Sequence, residues 1–233
     1  MVLRIIKKIV IFLFYRDRKI AEEFGKISWS QEGEDVVLCE LIGNRTSGFY
    51  VDIGAHHPFR FSNTQFFYNK GWRGINIEPT PGAIIEFERY RREDINLQIG
   101  IGVSKNPIDF FCMTDPALNT FNRERALALE SSTTYKIDKT VSIPVFELKE
   151  ILSKYCHGRK IDFLTMDVES KEEEVLLSND WESYRPEYLM IEILNFDPEN
   201  PGKSKIHEYL RAQGYSLVAY TGRTIFYKNG RGI

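Results

Sequence analysis

Cysteine is scarce. Cys39, Cys112 and Cys156 are the only three in 233 residues, widely scattered and with no Cys-x-x-Cys pair. An odd, dispersed set excludes a disulfide framework and points to a reducing cytoplasm. Positive charge is not in excess either. A net charge of −2 gives no general attraction to nucleic acid, which needs a basic face. No internal repeat or low-complexity tract appears. What remains is ordinary for a globular chain: 42% hydrophobic and 27% charged residues, enough length for one α/β domain or two small ones.

The N-terminus stands apart. In "MVLRIIKKIVIFLFYRDRK" the longest uncharged run, Ile9 to Tyr15, falls well short of the about 20 apolar residues that cross a bilayer. A basic start before an apolar stretch resembles a signal peptide, but Arg16-Asp17-Arg18-Lys19 follows where a small-residue cleavage site belongs. Helical spacing gathers Val2, Ile5, Ile6, Ile9, Phe12 and Leu13 on one face with cations beside it. This predicts an amphipathic extension over residues 1–29. Its helix packs on the domain or on a second subunit of a homo-oligomer, or residues 1–19 make peripheral contact with the inner face of a membrane.

From residue 30 to 233 short apolar runs alternate with amphipathic stretches. Strands are expected at 48–53, 73–78, 95–101, 161–166, 187–193, 215–220 and 223–228, and helices near 32–42, 62–70, 81–92, 145–156, 171–178 and 203–213. Strands rich in Ile, Val, Leu and Phe, separated by helices, predict a mainly parallel seven-stranded sheet covered on both faces. "YSLVAY" and "RTIFYKN" are joined only by Thr221-Gly222, so the sheet should end in an antiparallel hairpin. Residues 114–140 lack a clear period and read as a lid or acceptor-binding loop.

The stretch "FYVDIGAHHPF" (49–59) carries the first chemistry. A strand ending in Asp52-x-Gly54 before a helix lies at the carboxyl edge of the sheet, where α/β proteins bind ligands. "GWRGINIEP" supplies a second strand ending in Glu78, 24 residues beyond Gly54, the spacing of an acid that accepts hydrogen bonds from ribose hydroxyls. Together they read as a pocket for an adenosine-like group. A dinucleotide needs Gly-x-Gly-x-x-Gly to approach its pyrophosphate, whereas here the turn is Gly54-Ala55-His56-His57-Pro58-Phe59. S-adenosylmethionine, which has no phosphate, does not need the missing glycines and is favoured over NAD.

Three blocks, "SQEGEDVVL" (30–38), "GFYVDIGAHHPFRFSNTQFFYNKGWRGINIEP" (48–79) and "IDFLTMDVESKEEEVL" (161–176), resemble the FkbM family of S-adenosylmethionine-dependent methyltransferases. The resemblance runs from Ser30 to Tyr227. It implies a class I methyltransferase fold and O-methylation, often of a sugar hydroxyl in polysaccharide, glycolipid or natural-product assembly. It places Asp52, Gly54 and Ala55 on the first cofactor motif and Glu78 on the ribose acid. Gln31 closes over the methionine end, and Ile101, between Gly100 and Gly102, lies near the adenine. One departure is Ser170, where the family has glycine after Asp-x-Glu, which implies a narrower pocket if that glycine allows close approach to substrate.

Adjacent histidines rarely bind one ion, so His56 is expected to line the pocket through its backbone and His57-Pro58 to shape the turn, with His57 an alternative general base. His157 and His207 have no motif around them and read as surface residues. In the implied fold the ends of strands four and five border the cofactor, which brings Asp167, Glu169 and Glu192 beside the transferred methyl as the catalytic acids. They would take the acceptor's hydroxyl proton, or hold Mg²⁺ or Mn²⁺ that acidifies it. The rival reading has Asp167 and Glu169 capping the helix "KEEEVLL", with Glu172-Glu173-Glu174 as its solvated first turn. At the level of the whole protein the rivals are a nicotinamide-dependent oxidoreductase, for which no Tyr-x-x-x-Lys constellation is found, and a catalytically inactive module that keeps the fold.

Overall fold

The computed structural model describes residues 25–104 and 106–231. The expectations for residues 1–19, and most of the 1–29 extension, lie outside the described residues. In chain order the elements are α1 (Glu34–Ile42), β1 (Phe49–Ile53), α2 (Gln65–Asn69), β2 (Arg73–Ile77), α3 (Ala83–Tyr90), β3 (Ile95–Leu97), β4 (Gly100–Ile101) and β5 (Ile108–Met113). There follow α4 (Arg123–Ser132), β6 (Ile137–Ile143), β7 (Val145–Phe146), α5 (Leu148–Tyr155), β8 (Phe163–Met166), α6 (Glu172–Leu177), β9 (Tyr188–Glu192), α7 (Lys205–Ala212), β10 (Tyr215–Tyr220) and β11 (Thr224–Asn229).

Seven strands form one sheet in the order β10-β11-β9-β8-β1-β2-β3. All neighbours are parallel except β11, which runs antiparallel to both β9 and β10. Every residue of β1 and β8 is buried, which explains why these strands read as unbroken apolar runs: both faces are covered. Alternate side chains divide between two cores. Val51, Ile53, Ile75, Ile77, Leu164, Met166, Leu189 and Ile191 pack with Leu148, Ile151 and Leu152 of α5, Val175 and Leu176 of α6, and Leu210 of α7. Tyr50, Phe163, Tyr188, Met190 and Phe226 face the other way, onto Leu38 and Ile42 of α1, Phe67 of α2 and Trp72.

The register brings the strand ends level. Ile53 lies opposite Ile77 and Met166, Met166 opposite Ile191, and Thr224 opposite Glu192. Gly54, Glu78, Asp167 and Glu192 therefore emerge side by side along one carboxyl edge, and the start of β11 reaches the same edge because that strand runs backwards.

Two expectations need correction. The run 95–101 is not one strand. Ile95–Leu97 closes the sheet, and the chain then leaves it so that Gly100–Ile101 pairs with Val145–Phe146 in a separate ribbon. A Cβ on Gly100 would come within 2.7 Å of the Phe121 ring, so glycine permits this departure. Residues 114–140 are not a bare loop either. They contain a 3₁₀ turn at Pro116–Leu118, α4 and the start of β6, which pairs antiparallel with β5. This arm escapes a reading by periodicity because it buries so little: Ala126 is the only buried residue of α4, and Ile143 the only one of β6. Among the described residues no helix is long and apolar enough to cross a membrane.

Candidate functional site

A cavity of about 300 Å³ opens at this carboxyl edge, at the small end of the range for ligand sites. All ten residues singled out from the sequence line it: Gln31, Asp52, Gly54, Ala55, His56, Glu78, Ile101, Asp167, Glu169 and Glu192.

The β1–β2 wall is fixed by backbone. Gly54 has φ +81°, and a Cβ there would sit 1.8 Å from the Asp167 carbonyl oxygen. Only glycine lets β1 and β8 converge so closely. The Gly54 and Ala55 amides both donate to the Ile77 carbonyl, at 2.9 and 3.1 Å. His56 adopts a left-handed φ of +53°, and its amide donates to Glu78 Oε2 at 2.7 Å. The Thr80 amide donates to Glu78 Oε1 at 2.8 Å. Glu78 is thus buried yet anchored at both oxygens. Burial raises its pKa, opposed by the hydrogen bonds from Thr80 and His56. Asp52 Oδ2 accepts the Thr64 hydroxyl at 2.8 Å. Its carboxyl is pushed up to about 6, chiefly by burial, with Thr64 and the Arg91 charge pulling it down. The His56 ring is held neutral by burial, its pKa lowered to about 4, and its Nε2 has no partner.

The β8–β9 wall is crowded with acids. Asp167 lies in hydrogen-bond contact with Glu192, and burial followed by the Glu192 charge raises its pKa well above the carboxylate range. Its neutral form is favoured there, because a second charge beside Glu192 would be unscreened. Glu169 is pushed up to about 7 by burial, with the Arg125 charge pulling down and Glu192 pushing up. Glu169 and Ser170 both have left-handed backbones, φ +51° and +77°, forming a reversal that points Glu169 back into the cavity. Arg125 of α4 pairs with the Glu169 carboxylate, and the Thr120 hydroxyl donates to its carbonyl at 2.9 Å. Arg223 approaches Glu192 at 3.8 Å and Glu32 at 3.2 Å.

The capping alternative does not describe these acids. Lys171 is the N-cap residue of α6 and makes no side-chain cap bond. Glu172 takes the capping role: it is buried rather than solvated, and its carboxylate accepts the Ser170 amide at 3.1 Å. Ser170 does not line the cavity, so a glycine there would serve backbone conformation and not close approach to a ligand. His57 does not line it either. Its Nδ1 accepts the Phe59 and Arg60 amides, both at 3.0 Å, which leaves it shaping the turn. His207 is also not a surface residue: it is 5% exposed, with Nδ1 3.2 Å from the Tyr227 hydroxyl.

Sequence reasoning missed part of the lining. Glu34 sits inside the quoted "SQEGED" block, so a signal existed. It is buried in the cavity wall, accepting the Thr224 hydroxyl at 3.1 Å and the Glu32 amide at 2.7 Å. Asn63 and Thr165, inside the other two quoted blocks, also line it, as do Asn119, Phe121 and Arg223, which carried no motif. Among the described residues no group of three or more His, Cys, Asp or Glu side chains is placed to hold a metal ion. The acids present do not form a ligand set for Mg²⁺ or Mn²⁺.

Seven lining carboxylates, at Glu34, Asp52, Glu78, Asp115, Asp167, Glu169 and Glu192, face three cationic side chains, Arg60, Lys171 and Arg223. That balance suits a ligand carrying positive charge and disfavours a pyrophosphate.

The cavity lies at the carboxyl edge of the sheet beside an Asp-x-Gly turn, where α/β proteins bind ligands. A family model, the methyltransferase FkbM domain, matches residues 52–217, more than half of the chain, and the chain belongs to that family. The match begins at Asp52, so the Gln31–Glu34 segment lies outside it. A solved structure of the methyltransferase FkbM from Methylobacillus flagellatus KT is similar at 14% identity with a TM-score of 0.49. The similarity covers 85% of this chain and 48% of that one, so the chain spans about half the length of that relative. No curated protein matches.

Proposed function

We propose that the chain is an S-adenosylmethionine-dependent O-methyltransferase with a class I methyltransferase fold, acting on a hydroxyl of a sugar in a polysaccharide, glycolipid or natural product. The observation that carries the proposal is the gathering of two acid sets in one cavity: Asp52 and Glu78 on its β1–β2 side, Asp167, Glu169 and Glu192 on its β8–β9 side. The sheet order with a single reversed strand, β11, supports the fold assignment.

The residues fit the cofactor. Glu78 keeps free lone pairs beside its two amide bonds to accept ribose hydroxyls. Gly54 and Ala55 leave the turn open. Gln31 and Glu34 stand at the end expected for the amino-acid group, and Ile101 offers an apolar surface to the base. When bound, S-adenosylmethionine supplies an electrophilic methyl group on a sulfonium. The chain's own task is to align the acceptor oxygen and remove its proton. A carboxylate of this cluster would accept the acceptor's O–H proton, and the gathered acids favour a cation nearby. Phe110, Asn119 and Phe121 of the β5–β6 arm form the remaining wall and would cover the acceptor.

Calorimetry with S-adenosylmethionine, followed by transfer of a labelled methyl group to a panel of glycans and lipid-linked sugars, tests this reading. Micromolar binding with label on an acceptor oxygen is expected. Binding of NAD instead, or cofactor binding with no transfer to any acceptor, overturns it. Residues 1–19 support a further part of the proposal, contact with the inner face of a membrane. Full-length protein should sediment with anionic liposomes and release as salt is raised. Failure to sediment would remove the membrane from the reading.

A further inference from the structure

Beneath the cavity, outside its lining, lies a buried polar network that the proposed chemistry does not use. Arg91 is fully buried just after α3. Its Nε donates to Asp94 Oδ2 at 2.9 Å and its Nη1 to Gln65 Oε1 at 3.2 Å. Its Nη2 reaches the Tyr50 hydroxyl at 2.5 Å, Thr64 Oγ1 at 3.1 Å and Asn76 Oδ1 at 3.4 Å. Asp94 also accepts the Tyr50 hydroxyl at 2.6 Å and the Gly74 amide at 2.8 Å.

Proton directions in this network are set by chemistry. A guanidinium only donates, so Thr64 Oγ1 must accept from Arg91. The single Thr64 hydroxyl proton is then free to point at Asp52 Oδ2, 2.8 Å away. Ser62 Oγ, at 3.5 Å, is the one competing partner. The chain Arg91→Thr64→Asp52 thus presents the carboxylate with a donor polarised by a buried cation, in a low-dielectric setting where such relays are strengthened.

We propose that Thr64 and Arg91 are positioning residues of the cofactor site, which hold Asp52 ionised and oriented so that it accepts hydrogen bonds from S-adenosylmethionine. The inference rests on the cofactor reading above. The groups bearing on Asp52 are Arg91, Thr64 at the start of α2, Glu78 at the end of β2 and Asp94 ahead of β3. Its sheet neighbours Asn76 and Thr165 are uncharged. Burial and the two acids already bring Asp52 up to about 6, so loss of the Thr64 donor carries it into the neutral range.

The test measures S-adenosylhomocysteine affinity by calorimetry from pH 5.5 to 8.5. Wild type should lose affinity as pH falls through about 6. Thr64→Val should lose it at higher pH, binding several-fold more weakly at pH 7 while matching wild type at pH 8.5, and Thr64→Ser should restore the wild-type profile. Thr64→Cys, a weak donor, replaces Thr64→Val if that variant does not fold. Asp52→Asn separates the two ideas. If it binds as wild type at every pH, the cofactor reading of Asp52 fails. If it binds poorly while the Thr64 variants keep the wild-type profile, or lose affinity equally at every pH, the positioning role is overturned. Carbon-13 titration of the wild-type Asp52 carboxyl gives an independent reading. A midpoint near 6 is expected, and one above 7 overturns the proposal.

Discussion

On the β1–β2 wall, Asp52 accepts the Thr64 hydroxyl and Glu78 accepts the His56 and Thr80 amides. On the β8–β9 wall, Asp167 has no such donor among the described residues and stands against Glu192, with Glu169 beside them. The same functional group is anchored on one side and crowded on the other. Anchored carboxylates have fixed geometry and directed lone pairs, which suits recognition of hydroxyls. Crowded ones cannot all ionise, so they bind protons near neutral pH, which suits proton transfer. The contrast supports assigning binding to one wall and chemistry to the other, and each prediction below tests one side of it.

The largest effect is expected at Asp167. Asp167→Asn keeps the volume but removes the carboxylate that stands against Glu192. With the acceptor found by the glycan panel, kcat should fall about 10²–10⁴-fold, with little change in calorimetric cofactor affinity. Full turnover in this variant would move the base elsewhere on the wall, to Glu169 or Glu192. Next comes Glu78→Ala, which should weaken cofactor binding by about 1–3 kcal/mol, the scale of hydrogen bonds to charged groups. Unchanged affinity in a folded variant would erase the distinction between the walls, since Glu78 is its best-anchored member.

The legible parts of the molecule share a physical reason. Strands buried on both faces, such as β1 and β8, must be apolar throughout, and Gly54 must be glycine because Asp167 occupies the space of its side chain. The β5–β6 arm was illegible because it buries little, so no period is imposed on "IDKTVSI" or on α4. Arg125 was missed for the same reason: it acts on Glu169 from an element the sequence does not announce. The buried Arg91 network was invisible because its members are scattered from Tyr50 to Asp94 and meet only across the sheet. The His207 reading failed because the partner that satisfies it, Tyr227, lies 20 residues away.

Arg125 offers a sharper probe of the crowded wall through pH. Glu169 titrates at about 7, and Arg125 is the influence that holds it down from a higher value. If its ionised form assists the reaction, kcat/KM should rise with pH to a plateau above that midpoint. Arg125→Gln should move the rising limb to higher pH and leave the plateau rate in place. Stability runs the opposite way. A buried carboxyl whose folded pKa lies above its unfolded value near 4.5 binds more protons in the native state, so its contribution is full at acid pH and is lost as pH rises through about 7. Melting curves of Glu169→Gln should therefore match wild type near pH 4 and lie above it at pH 8. A Glu169→Gln melting temperature below wild type at pH 8 would mean that the Arg125 ion pair outweighs the crowding.

The smallest effect tests whether the crowded wall is strained in its backbone as well as its charges. Ser170 has φ +77° and sits outside the cavity. A left-handed non-glycine residue costs on the order of 1 kcal/mol or more, part of which glycine returns through the greater freedom of its unfolded chain. Ser170→Gly should therefore stabilise the protein by about 1 kcal/mol, visible as a rise in melting temperature of about 2–4 °C for a chain of this size. Because Ser170 touches no ligand in the proposed reaction, kcat and cofactor affinity should not change. The backbone amide that Ser170 donates to Glu172 is kept in glycine, so a drop in kcat with the stability gain would show that the stiffer serine backbone helps hold Glu169 in place, and that the reversal after β8 is tuned for chemistry at the expense of stability.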